Sequence, residues 1–328
     1  MSRWLAAIAG VILSSASHVV QAYGAPGNAP MDSPIASDSA ADGAADEPRR
    51  WDRALPFLAQ KAVDRGYNLP NPYNIGMSLY IGDENRDLSE LAVSLNDNPL
   101  KDASFVEFRN TRIKPVAFQY QLGAWLFPFL NVYGLAGYTT GHGDIDIAIP
   151  GAELMEFVGI GGCNLPPAVR PDLCSKTIEG AAHVNYTGYT WGAGLTAAGA
   201  YKKFFFSLPV TYVLADVTQS TTDSKTLNVA PRIGWLFQPP RGGMLTAYVG
   251  GTYMKSDVFI TGSAVLDTSG TIIGQDTTLN YSIKVQPKDA WNYFFGAHWM
   301  ATRTWSFLGE AGFGGSRSNV LLNVFYRF

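Results

Sequence analysis

Charge is what this sequence has least of. Only 16% of its 328 residues are Asp, Glu, Lys or Arg, against about 25% in soluble domains, so much of the surface calls for a solvent other than water. Lys+Arg 24 against Asp+Glu 27 leaves a net charge of -3, without the basic excess that marks nucleic-acid binding, and no nucleic-acid partner is expected. Cysteine is nearly absent: Cys163 and Cys174 are the two. Two thiolates with no histidine between them fall short of the ligand set of a structural zinc, so a disulfide is expected, and neither a metal nor another cofactor is. In the chain-entropy picture, closing a loop of this size stabilises by about 3 kcal/mol. Also missing, after Ala22, is any uncharged apolar run near the roughly 20 residues that a membrane-spanning helix needs. A membrane protein with this sequence would have to cross by strands.

The chain opens with "MSRWLAAIAGVILSSASHVVQA". A basic lead at Arg3, an apolar run too short to span, and the small-residue pattern Val20-Gln21-Ala22 predict a secretory signal peptide over 1–22. From Tyr23 to Arg50 the residues are mostly Ala, Pro, Ser, Gly and Asp with little to bury, which predicts a disordered tether over 23–50. Residues 51–73 hold Leu58, Ala62 and Val63 at helical spacing before Gly66 and Pro70. They are expected to form a short segment that caps one end of the fold or plugs its interior.

From Asn74 the pattern turns to period two. "NIGMSLYIG" places Ile75, Met77, Leu79 and Ile81 on one face; "VAFQYQLGAWLF" sets Val116, Phe118, Tyr120 and Leu122 against Gln119 and Gln121. "VNYTGYTWGAGLTAA", "FFFSLPVTYVLAD" and "LNVAPRIGWLF" alternate in the same way. Tight connections near 127–130, 200–204, 238–243 and 301–304 alternate with longer spans over 149–182, 218–224 and 262–277. Short turns on one rim and long loops on the other are the arrangement of a closed antiparallel transmembrane β-barrel over 74–328. The expected all-β fold has about ten strands, with eight or twelve as alternatives. The expected spans are 74–82, 112–126, 130–148, 183–199, 203–217, 225–238, 243–261, 277–300, 304–314 and 318–328. Pro115, Pro209, Pro231 and Pro287 fall in or beside them and predict bulges or bends, because each removes a ladder donor.

The chain finishes on "VLLNVFYRF", where Val320, Leu322, Val324, Tyr326 and Phe328 share a face and Asn323 and Arg327 take the other. This resembles the C-terminal assembly signal of Gram-negative outer-membrane β-barrel proteins, with Tyr326 and Phe328 as its aromatic residues. The resemblance implies export to the outer membrane, outer-membrane lipid and lipopolysaccharide as surroundings, and the barrel assembly machinery as a partner. Channels, proteases, lipases and adhesins share the fold, so it does not choose an activity.

On period two, His142, Asp144 and Asp146 share a face in "YTTGHGDIDIAI". Reading Ile145, Ile147 and Ile149 as lipid-facing puts the trio in the lumen near the outer rim. There it could hold a divalent metal or a hydrolytic water, at the outer end of its strand where omptin-like barrel proteases also carry their active groups, though no second Asp-x-His partner on another strand extends that resemblance, or it could form a hydrated rim. Arg232, Lys284, Lys288, His298 and Glu310 are the other inward candidates. Buried charges need partners, so Arg232 or Lys284 is expected to meet Glu310, either as structure or as a selective constriction. None of the four histidines (His18, His142, His183, His298) has Ser two positions on, which excludes the His-x-Ser pair of outer-membrane phospholipases. Three readings follow: a narrow channel or binding barrel for small solutes; an outer-rim hydrolase using His142, Asp144 and Asp146; and an adhesive or structural barrel, with the loop of 149–182 on display.

Overall fold

The computed structural model describes residues 50–65, 69–95, 98–157, 159, 161–217, 224–240, 242–256, 258–266 and 277–328. The expected signal peptide, and all but the last residue of the expected tether, lie outside them.

The alternation seen in the sequence becomes a wall with its apolar side outward. Val116, Phe118, Tyr120 and Leu122 are 39, 38, 54 and 64% exposed, while Gln119 and Gln121 between them are 0 and 1% exposed. A water-soluble sheet would bury the other set. The wall is built from β1 (Tyr73–Leu95), the short β2 (Lys101–Asp102), β3 (Glu107–Phe127), β4 (Leu130–Pro150), β5 (Thr177–Tyr201), β6 (Phe204–Val217), β7 (Ser224–Val229) and β8 (Arg232–Phe237). After these come β9 (Met244–Ser256), β10 (Val258–Leu266), β11 (Thr277–Pro287), β12 (Trp291–Met300), β13 (Trp305–Phe313) and β14 (Arg317–Arg327).

All pairings are antiparallel, and they close. β1 pairs with β3 along one side and with β14 along the other, and the ladder runs on through β13, β12, β9, β7 with β8, β6, β5 and β4 back to β3. β7 and β8 share one position, so the ring has 10 strands. Closure satisfies the backbone groups that an open edge would expose to lipid. On β3 the outward apolar stretch from Val116 to Leu126 matches the roughly 9–11 residues of tilted strand that cross hydrocarbon. At the short-turn end Tyr201, Phe204, Trp235, Trp305, Tyr326 and Phe328 are all exposed on the outside, forming the aromatic girdle of a membrane interface. The chain thus has the fold of an outer-membrane β-barrel.

Beyond Val116, toward the long-loop end, the wall inverts. Outward positions become Lys114, Arg112, Asp144 and His183, whereas Ile113, Ile145, Ile147, Tyr186 and Val217 turn inward into one buried apolar cluster. The strand pairing of β4 with β5 carries no register shift through this change, so it is the outside medium that switches, from hydrocarbon to water. Tyr138 and Asp144 share a face of β4, and each suits what lies outside it.

A lid completes that end. β10 and β11, which lie between β9 and β12 in the chain, pair antiparallel with each other, and β11 also pairs with the distal half of β1, from Arg86↔Pro287 to Leu95↔Leu279. In the ring β13 and β14 lie between β12 and β1, so the hairpin passes over their connection to reach β1. Tyr281, Ile283 and Val285 of β11 join Leu91, Val93, Ile113 and Ile145 in the buried cluster. At the opposite end the short helix α1 (Ala59–Val63) sits against the β3–β4 turn. There the Phe57 N–H donates to the Leu126 carbonyl at 2.8 Å, and the Phe57 and Phe127 rings lie 5.8 Å apart.

Several expected boundaries shift. The first strand extends to Leu95, through a stretch whose charges resemble a loop, because Glu84 and Arg86 point inward and pair. The single strand expected over 277–300 is two, separated by Lys288–Ala290, with Pro287 ending the first. Pro231 separates β7 from β8, and the Ala230 N–H there donates to Pro209 O. Pro115 produces no bulge: it pairs in register with Gly141, and the irregularities of β3 fall at 108–110 and 125–127.

Candidate functional site

A buried ion pair crosses the lumen within the membrane layer. Arg232 on β8 donates from Nε to Glu310 Oε1 of β13 at 2.9 Å and from Nη1 to the Ala230 carbonyl at 3.2 Å. Its guanidinium carbon lies 5.1 Å from the Phe294 ring centroid and 6.0 Å from that of Tyr248. Glycine makes room for these groups. A Cβ at Gly250 would stand 2.4 Å from the Phe294 ring, and one at Gly296 would stand 2.8 Å from both Glu310 and Tyr248. Beside this pair a cavity of about 10 Å³ remains, bordered by Tyr80, Asn292, Glu310 and Arg317, which is room for about one water.

Toward the lid, Tyr80 Oη donates to Glu84 Oε1 at 2.7 Å and Arg86 Nη2 to Glu84 Oε2 at 2.5 Å. Toward the short-turn end the lining is polar and includes the buried Arg327. Gln119 Nε2 donates to Thr190 Oγ1 at 2.8 Å, and Tyr133 shares a 2.6 Å hydrogen bond with Thr211. Among the described residues Gln121 Oε1, Asn131 Nδ2 and Ser306 Oγ are buried without a protein partner, the setting that ordered water fills.

Of the residues singled out in the sequence, Arg232, His298 and Glu310 lie inside, at 3, 1 and 5% exposure, and the first and last meet. Lys284 does not join them: it stands on the outward face of the lid and pairs with Glu90 at 2.9 Å. Lys288 is exposed in the turn after β11. The Cys163–Cys174 disulfide is formed, in the loop after the helix α2 (Gly151–Phe157), with Met155 Sδ 3.6 Å from Cys174 Sγ. Tyr326 and Phe328 face outward at the seam, where Phe328 exchanges backbone hydrogen bonds with Tyr73 at 3.0 and 3.2 Å.

The trio needs correction. His142, Asp144 and Asp146 lie on the outside of the barrel and the three isoleucines inside, because the outer part of β4 already stands in water. Asp144 is paired with His183, Nδ1 to Oδ1 2.6 Å, and the His142 and His183 rings lie 5.7 Å apart. Asp146 pairs in register with Ala181 and Asn110. Among the described residues no group of three or more His, Cys, Asp or Glu side chains could hold a metal ion. Hydrogen bonding from His183 holds the Asp144 carboxyl below its ordinary range. Asp83 is lowered in the same way by Arg112, which donates to it from Nε at 2.6 Å. His183, Arg112 and the Glu84–Arg86 pair were missed in the sequence. The signal that could have found them is the move of apolar residues from even positions (Val132, Ala136, Tyr138) to odd ones (Ile145, Ile147, Ile149) along β4.

No family model matches the sequence, and no curated protein is similar to it. Among solved structures the chain is similar to the β domain of the Bordetella autotransporter BrkA, at 9% identity and a TM-score of 0.32 over 79% of this chain and 100% of that one. It is also similar to the transport unit of the autotransporter AIDA-I from Escherichia coli, at 10% identity and a TM-score of 0.32 over 77% and 90% of the two chains. The toluene transporter TbuX of Ralstonia pickettii gives 10% and 0.31 over 80% and 90%. These are distant likenesses, and the barrel is established by the chain's own strand pairing.

Proposed function

We propose that this protein is an exported outer-membrane barrel that is shut to passive solute flow and serves as a surface scaffold. Its short-turn end faces the periplasm and its lid faces outside, with lipopolysaccharide as its surroundings and the barrel assembly machinery inserting it. The observation that carries the reading is closure at two levels: the Arg232–Glu310 pair with its aromatic neighbours inside the wall, and the apolar core under the β10–β11 hairpin above it. A hydrated ion or polar solute would have to break a buried ion pair and then cross a dry hydrophobic layer. Standing pores instead present a continuous polar path. What remains for function is the outer tower, with the lid and the disulfide-closed loop of 163–174.

A second reading, gated passage of small solutes, is favoured by the polar lining at Gln119, Gln121 and Asn131. It requires the lid to leave β1. Planar-bilayer recordings of the refolded chain distinguish the two. A silent membrane is expected for the scaffold, and steady discrete conductance from the unmodified chain would overturn it in favour of passage.

A further inference from the structure

We infer that the outer wall carries a binding site for a phosphorylated lipid of the outer leaflet, with the phosphate at Lys114 and His142 and the acyl chains against Ile81, Val116 and Val320. The inference rests on the placement of the apolar belt in the outer membrane, as proposed above. Its physical basis is a depression of about 840 Å³ on the outside of the barrel, running from β13 across β1 and β3 to β5. This depression straddles the line where the wall changes character. Ile81 pairs with Val320 on one side and Val116 on the other, forming the last apolar row. One row further out, Lys114 pairs with His142 and His142 with Asn185.

Charge decides which head group fits. Asp83, which lines the groove, and Asp144 beside it are already matched, by Arg112 and His183. Lys114 and His142 therefore face the groove with no hydrogen-bonded acceptor among the described residues. An ammonium beside an imidazole, with the Asn185 amide next in the row, suits a phosphate ester. A free anion would use the polar row alone and leave the apolar floor unused. A neutral lipid would do the reverse. A lipid with phosphate on its head satisfies both, and its chains continue into the surrounding leaflet.

The test uses the full mature chain refolded in detergent micelles, with bisphosphorylated lipid A as the probe and its enzymatically dephosphorylated form and inorganic phosphate as controls. Native mass spectrometry and titration should show lipid A bound, with affinity at least tenfold weaker for the dephosphorylated lipid. The double variant Lys114→Ala/His142→Ala should lose at least tenfold, and Lys114→Arg should retain binding. Heat-modifiable migration on gels checks that each variant is folded. Equal binding of the dephosphorylated lipid, unchanged binding by the double variant, or competition by millimolar inorganic phosphate would each overturn the site. Failure of the membrane placement itself would show separately, as an unmodified chain that does not enter lipid vesicles.

Discussion

Arg232 and Glu310 face each other across the lumen from β8 and β13, Nε to Oε1 2.9 Å, with side chains 0 and 3% exposed. Two more strands, β9 and β12, separate them along the wall, so their bond is a chord through the interior. Removing one partner leaves a buried, unmatched charge, which costs about 3–5 kcal/mol, whereas replacing both with apolar groups of similar volume is near neutral. Glu310→Gln and Arg232→Met are each expected to lower the urea midpoint of the refolded barrel sharply, and Arg232→Met/Glu310→Met to recover most of the loss. Additive losses in the double variant would show that the pair is not coupled.

The lid is held by its core, not by its surface pair. Ile283 is 1% exposed within the apolar cluster, and truncating such a side chain to Ala costs about 2–5 kcal/mol. Lys284 and Glu90 are 22 and 58% exposed, and exposed ion pairs contribute about 0–1 kcal/mol. Hydrogen exchange of the β11 amides should accelerate strongly in Ile283→Ala and little in Lys284→Ala. The reverse order would make the ion pair the latch.

Acid should loosen the outer rim. Asp83 and Asp144 are both held below their ordinary value of 3.8 by the hydrogen bonds they accept, from Arg112 and His183 respectively, so each contributes stability above the unfolded value, and that contribution is lost as pH falls through the lower folded value. Stability against urea should therefore decline below about pH 4, and Asp83→Asn/Asp144→Asn should flatten that slope. The effect should be small, since both carboxyls are largely solvated. An unchanged acid slope in the double variant would place its origin elsewhere.

At the seam, Phe328 closes the first strand onto the last, with its ring 5.9 Å from that of Tyr73. Deleting Phe328 removes both backbone bonds to Tyr73 and one girdle ring. The yield of heat-modifiable, folded barrel is expected to fall several-fold, and Phe328→Tyr to restore it. Full yield from the truncated chain would contradict a role in closure.

The wall was legible in the sequence because lipid on one side and a polar lumen on the other leave a period-two signature, as at Gln119 and Gln121 between Phe118, Tyr120 and Leu122. What stayed hidden is where the outside medium changes. The outward face of β4 runs from Tyr138 to Asp144 without a slip, yet its apolar residues move to the other face, and a reading that assumes lipid throughout turns Ile145 outward. Glu84 and Arg86 were hidden for a related reason: charges in a loop and charges paired inside a tower look alike until their partner is known. The lid was invisible because nothing local in β11 tells that it pairs with β1, some 190 residues earlier, as the Lys284–Glu90 contact does at a separation of 194.

Nitroxide scanning along β3 from Arg112 to Leu126, in the refolded protein in lipid vesicles, tests the central claim most directly. Accessibility to oxygen should alternate with period two from Val116 to Leu126, high at even positions and low at odd ones. At Lys114 and Arg112 the even positions should become accessible to a water-soluble nickel reagent instead. Even positions open to the aqueous reagent along the whole strand, or no alternation at all, would contradict a wall that faces hydrocarbon.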